Sequence, residues 1–283
     1  MHPQHEIPRF SPDPDFDFEI RVALGHATAG AADVGEVLAA TAGIHTAGPD
    51  SYLVGDTGGN AVLDAVRAAQ HLPAAGTSDR VVLWGHSQCG QAVLFAAERS
   101  AEYAPELQVL GVAVAAPAAD LNTLLSDHIN DISGVTIGSY AFEAYSQVYA
   151  GRGATLEGIL TPAARQLLPE MNELCLLSSM QKLHQIGQPL VGKFVTADPA
   201  TVAPWATLFA ENSAGATAFQ APLLVAQGLK DTLVLPAATE AFASHEQSLG
   251  MDVEFHPIAL ADHGTVAYLA LPALMEWLDK RGL

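Results

Sequence analysis

Short blocks of consecutive apolar residues alternate along the chain with longer stretches in which apolar positions recur every three or four residues. Arg80-Val81-Val82-Leu83-Trp84 and the run over residues 109–115 are of strand length and rich in β-branched side chains. Such runs predict strands buried on both faces, as in a parallel sheet covered by helices. Residues 222–227 and 253–258 restore the same rhythm later in the chain. Val62, Leu63, Val66 and Ala69 lie on one stripe of a helix over residues 60–72, and Val93, Leu94 and Ala97 do so after the first run. Residues 20–24 read either as a short strand entering a loop over 25–30 or as a helix with Ile20, Leu24 and Ala27 on one face. Val34, Val37 and Leu38 predict a short helix, and residues 43–48 a strand closed by a turn at Gly48-Pro49-Asp50. From 120 to 219 the pattern is helical and irregular, and a final helix over 265–278 is interrupted at Pro272. The expected organisation is an arm rich in Pro and Asp over 1–19, an α/β core from 20–119 and 220–283, and a helical cap over 120–219.

Composition narrows the classes of partner. Of 283 residues, 49% are apolar and 15% charged, which excludes a disordered polymer. The 31 acidic and 12 basic residues give a formal charge of −19, which repels nucleic acid and anionic membrane surfaces. The longest apolar stretch, 109–119, is shorter than the roughly 20 residues of a membrane span. Met1-His2-Pro3-Gln4-His5-Glu6 has neither a basic nor an apolar leader segment, so the expectation is a cytoplasmic protein. Cys89 and Cys175 form no CxxC or Cys/His spacing and read as two buried thiols, with a single disulfide left open. No metal or cofactor is expected, and the partner is a small molecule.

Candidate chemistry sits where the first apolar run meets Gly85-His86-Ser87-Gln88-Cys89-Gly90. A serine hydroxyl is a weak nucleophile at neutral pH and needs a histidine base oriented by a carboxylate. A small-residue turn between strand and helix projects such a serine, and the partners follow in the order acid, then histidine. Asp231 follows the strand over 222–227, and His263 precedes the final helix, so Ser87, Asp231 and His263 are the candidate catalytic residues. Asp262 rivals Asp231 but is the sequence neighbour of His263, and His256 lies inside a strand. His86 adjoins Ser87, and its side chain is expected to point elsewhere. For the oxyanion, the N–H of Gln88 is one candidate donor. His26-Ala27-Thr28-Ala29-Gly30 offers Ala27 as the other, provided residues 20–24 form a strand. Leu167, Leu168, Met171, Leu174 and Leu177 line an acyl site or simply pack cap helices.

With those residues placed, the chain resembles the secretory-lipase family of α/β-hydrolases from about residue 20 onward. The resemblance rests on Leu63-Asp64-Ala65-Val66-Arg67-Ala68-Ala69, Trp84-Gly85-His86-Ser87-Gln88, Tyr103-Ala104-Pro105-Glu106-Leu107, Ala116-Pro117-Ala118-Ala119-Asp120-Leu121 and Asp262-His263-Gly264-Thr265. It implies ester hydrolysis without a cofactor by Ser87, Asp231 and His263. Cys89 stands where the family usually has Gly, and Ala27 where its His-Gly-Thr-x-Gly loop has Gly. Only 79 residues precede the first apolar run, so the N-terminal part of the sheet is expected to be shortened. Residues 43–48 would then form an edge covered by the arm or by a second copy in a homodimer. Two other readings stay open: an amide or C–C-bond hydrolase with the same triad, and a shortened hydrolase-like protein that binds without turnover.

Overall fold

The period of two along the buried strands sorts their side chains onto two faces, and each face has its own cover of helices. In the computed structural model, which describes residues 20–28, 31–39, 50–71, 77–176 and 178–283, six strands form one sheet. They are β1 (Ile20–Thr28), β2 (Ala31–Ala39), β3 (Arg80–His86), β4 (Gln108–Ala115), β5 (Leu223–Gly228) and β6 (Val253–Ile258), in spatial order β2-β1-β3-β4-β5-β6. The four strands from β3 to β6 run parallel, whereas β1 lies antiparallel to both β2 and β3.

Val81 and Leu83 of β3, Val112 and Val114 of β4, and Leu223 and Val225 of β5 share one apolar layer. That layer packs against α1 (Gly55–Gln70), α2 (Gln88–Tyr103) and α8 (Pro236–Ser248) through Val62, Leu63, Val66, Val93, Leu94 and Phe242. The alternate residues Trp84, Ala113, Ala115, Leu224 and Ala226 face the other layer. There they meet Val266 of α9 (Val266–Leu269), Leu274 and Trp277 of α10 (Leu271–Arg281), and the helices between β4 and β5. Those helices are α3 (Leu121–His128), α4 (Ile132–Val148), α5 (Pro162–Asn172), α6 (Met180–Gly187) and α7 (Trp205–Glu211). Asp120 and Asp131 start α3 and α4 by accepting from Thr123 N–H and Gly134 N–H.

Several expectations change. Val34, Val37 and Leu38 lie in strand β2 rather than a helix, because pairing with β1 satisfies their backbone. Residues 25–28 continue β1 instead of opening a loop. The break in the last helix falls at Ala270, with Pro272 in the first turn of α10, where its missing N–H costs nothing. Helix α8 has a weak periodic signal and was not foreseen. The arm over 1–19 and the strand over 43–48, with the edge proposed there, lie outside the described residues. Cys89 is buried but Cys175 is partly exposed, and no disulfide joins them.

A polar clasp ties the return of the helical segment to the core. Asn212, just past α7, accepts at Oδ1 from Gly55 N–H at 2.8 Å, while Gln91 of α2 donates to its carbonyl at 2.6 Å. Three residues on, Gly215 N–H donates to Glu98 Oε1 at 2.7 Å, and its carbonyl meets His245 Nε2 at 3.0 Å. Gly215 has φ 98°, a backbone that favours glycine, and a Cβ there would sit 2.6 Å from Oε1 of Glu246. Glu246 is 1% exposed and neither carboxyl oxygen has a hydrogen-bond partner.

Burial pushes the Glu98 carboxyl up to about 7, against the lowering effect of the Gly215 bond, and Glu246 and Asp56 add to the rise. Glu246 is raised by burial as well, opposed by His245. Folded values above unfolded ones mean that the native state binds the extra protons, so stability falls as pH rises through the folded values. Chemical denaturation should therefore show stability declining between about pH 5 and about pH 8. Glu246→Gln, neutral at every pH, should reduce that decline and raise stability most at the alkaline end.

Candidate active site

The β3–α2 turn forces an unusual backbone on one serine. Ser87 has φ 56° and ψ −120°, outside the regions that side-chain-bearing residues favour. A serine before a helix ordinarily caps it, yet Ser87 makes no side-chain cap bond, which leaves its hydroxyl for another partner. Its N–H donates to Ala115 O and its carbonyl accepts from Ala118 N–H, both at 3.0 Å, so the end of β4 holds the turn. The tight geometry needs glycine at two positions. A Cβ on Gly85 would collide with the Cys89 carbonyl, and one on Gly90 would lie 2.8 Å from Pro117 Cβ. Cys89 is buried between these glycines, at 6% exposure, and its thiol is accommodated.

His263 comes to this serine on the loop after β6. Its Nε2 lies 2.9 Å from Ser87 Oγ and its Nδ1 lies 2.7 Å from Asp231 Oδ2. The tautomer serving both bonds carries its proton on Nδ1, donating to the carboxylate, and accepts the serine hydroxyl at Nε2. Asp231 follows β5 and is 3% exposed. Its second oxygen, Oδ1, accepts from Leu233 N–H at 2.8 Å and Val234 N–H at 2.9 Å. The carboxylate is thereby fixed in place and its charge compensated although it is buried. Asp262 instead closes a turn with Thr265 at 2.6 Å, and His256 stays within β6.

Gln88 is the first residue of α2, where N–H groups have no helical acceptor, so its amide is available beside Ser87. Ala27 is not at this end of the sheet. In the antiparallel register Leu24 pairs with Val81 and Ala27 with Ala32, so β1 carries Ala27 past the start of β3 while Ser87 follows its end. At roughly 3.3 Å per residue the two are separated by on the order of 30 Å, and the expected second donor is corrected on that ground.

Two contacts had no sequence signal. The ring of His86, expected to point elsewhere, packs against the His263 ring with centroids 4.6 Å apart at 42°. His128, 7% exposed in α3, places Nδ1 2.7 Å from Asp131 Oδ2 and Nε2 2.8 Å from Leu233 O. It links the helical segment to the Asp231 loop. Leu168 and Met171 are core residues of the helical segment, with Leu167 and Leu174 packed against them; Leu177 lies outside the described residues. Among the described residues no group of three or more His, Cys, Asp or Glu side chains is arranged to hold a metal, and no helix is long and apolar enough to cross a membrane.

Solved structures share this arrangement of strands and helices. Candida antarctica lipase A superposes with TM-score 0.67 at 18% identity, covering 82% of this chain and 55% of that one. The rice cell wall degrading esterase LipA from Xanthomonas oryzae gives TM-score 0.69 at 20% identity, covering 89% and 71%. Among curated proteins, "Probable inactive lipase MT1628" of Mycobacterium tuberculosis is 25% identical over 231 residues, 79% of this chain and 50% of the relative. "Lipase A" of Arthroderma benhamiae is 25% identical over 233 residues, 79% and 48%. The chain thus spans about half the length of the curated relatives it matches. The secretory lipase family model matches residues 42–282. A family of secretory lipases points to a secreted protein and overturns the cytoplasmic expectation drawn from residues 1–6. By that match over most of its length, and by its mostly parallel sheet covered with helices, the chain belongs to the secretory lipase family of α/β-hydrolases.

Proposed function

We propose that the chain hydrolyses carboxylic esters through an acyl-enzyme on Ser87. The observation that carries this reading is the continuous chain of hydrogen bonds from Ser87 Oγ through His263 to Asp231. Ser87 Oγ attacks the ester carbonyl as His263 Nε2 takes its proton, and the N–H of Gln88 donates to the developing oxyanion. Collapse of the tetrahedral intermediate expels the alkoxide, which receives that proton from His263. Water then attacks the acyl carbonyl, giving its proton to His263, and the returning proton releases Ser87 and the free acid. Asp231 stabilises the imidazolium formed in each half and keeps its tautomer. Each oxyanion donor is worth about 3 kcal/mol of barrier.

The surroundings favour neutral, apolar esters. Leu260 is 75% exposed and Tyr268 is 70% exposed on either side of His263 in sequence, and the net charge of −19 opposes anionic substrates. A hydrolase-like binding protein is the second reading, motivated by the relative named an inactive lipase and by the position of Ala27.

Nitrophenyl esters of short and medium chain decide between them. Ser87→Ala should lower kcat by about 10⁴-fold or more and abolish labelling by a fluorophosphonate. Wild-type protein that neither turns over esters nor takes the label would establish the binding reading. Asp231→Asn should keep the fold and lower kcat by on the order of 10⁴-fold, because the amide donates where the imidazole N–H must. Amides and β-diketones in the same assay test the bond that is cleaved.

A further inference from the structure

The last residue of β3 is a histidine whose ring is spent on the catalytic base. His86 precedes Ser87 on the backbone, and its half-buried imidazole lies 4.6 Å, centroid to centroid, from that of His263. Its Nε2 is buried without a hydrogen-bond partner. A ring packed on a ring therefore runs from the nucleophile's strand to the base's loop. The loop is anchored at its two ends by the buried Ala261 and Val266, whereas Asp262, Gly264 and Thr265, the residues next to His263, are exposed.

We propose that His86 is a positioning residue that straps the loop bearing His263 to strand β3 and so keeps His263 Nε2 on Ser87 Oγ. The inference rests on the reading of Ser87, His263 and Asp231 as a hydrolytic triad. Charge is consistent with the role. Burial pushes the His86 imidazole down to about 4, and the neighbouring His263 ring adds to that, while the His263 main chain and Asp231 pull the other way. His263 and Asp231 are the titratable groups facing it. A neutral ring can lie against an imidazolium as it forms, where a second cation would oppose it.

Substitution tests the ring contact. His86→Phe keeps an aromatic ring, His86→Asn keeps a polar side chain without the ring, and His86→Ala removes the side chain beyond Cβ. The first readout needs no turnover: the downfield NMR resonance of the His263 Nδ1 proton, which reports its bond to Asp231. It should be sharp in wild type, broadened or lost in His86→Ala and His86→Asn, and largely kept in His86→Phe. The second is fluorophosphonate labelling of Ser87, which should slow about 10- to 100-fold in His86→Ala. Ester kinetics should place the loss in kcat, with KM within about twofold of wild type. A folded His86→Ala protein with the wild-type resonance and labelling rate would overturn the proposal. If His86→Ala does not fold, a folded His86→Asn equal to wild type, against a control Ser87→Ala, would overturn it too. Wild-type protein without esterase activity or labelling would remove the hydrolase reading, and the resonance would still decide whether His86 holds His263.

Discussion

Everything at the candidate site follows from a serine held at φ 56° between a strand and a helix. That conformation is costly for a residue with a side chain, by about 1–3 kcal/mol, and persists only where neighbouring bonds over-determine it. Here the overdetermination comes from β4, whose end and following loop accept from and donate to the Ser87 backbone. The same tightness leaves no room for side chains at Gly85 and Gly90 but spares position 89, where a thiol fits. The departure from the usual small-residue pattern is therefore compatible with the turn, because the close approaches fall on Gly85 and Gly90.

The parallel strands then do for the other two residues what the turn does for Ser87. β5 and β6 end on the same side of the sheet as β3, and the loops that leave them carry Asp231 and His263. Main-chain N–H groups of Leu233 and Val234 fix the buried carboxylate, and the carboxylate in turn fixes the imidazole. His263 is oriented through a chain of local constraints, each satisfied by a neighbour within a few residues or by an adjacent strand.

That locality explains what could be read from sequence. Ser87 and Asp231 were legible because each follows a strand marked by consecutive apolar residues, and His263 because the order of the three along the chain is constrained by the fold. Strands β3 to β5 were legible because residues buried on both faces have little freedom of type, whereas the partly exposed β6 was read from Val253, Phe255 and Ile258 alone. β2 was not: Ala31, Ala32 and Gly35 give no alternation, so three apolar residues read as a helical stripe. Ala27 was misplaced because its motif says nothing about strand direction, and an antiparallel β1 sends it to the other end of the sheet. α8 was missed because its apolar positions are sparse, with Glu246 among its buried residues. His86 and His128 were illegible in kind, since their partners come from elements joined only by tertiary packing.

His128 joins two parts of the molecule that the chain separates widely. Its two ring nitrogens span from Asp131, at the start of α4, to the carbonyl of Leu233, whose own N–H is bound to Asp231. The peptide units around Leu233 are thus shared between the helical layer and the Asp231 carboxylate. A shift of α3 relative to the sheet cannot be taken up by side-chain rotation alone, because His128 is buried and bonded at both ends. It is passed to Asp231 through Leu233, so the helices over the sheet and the carboxylate behind His263 are mechanically coupled.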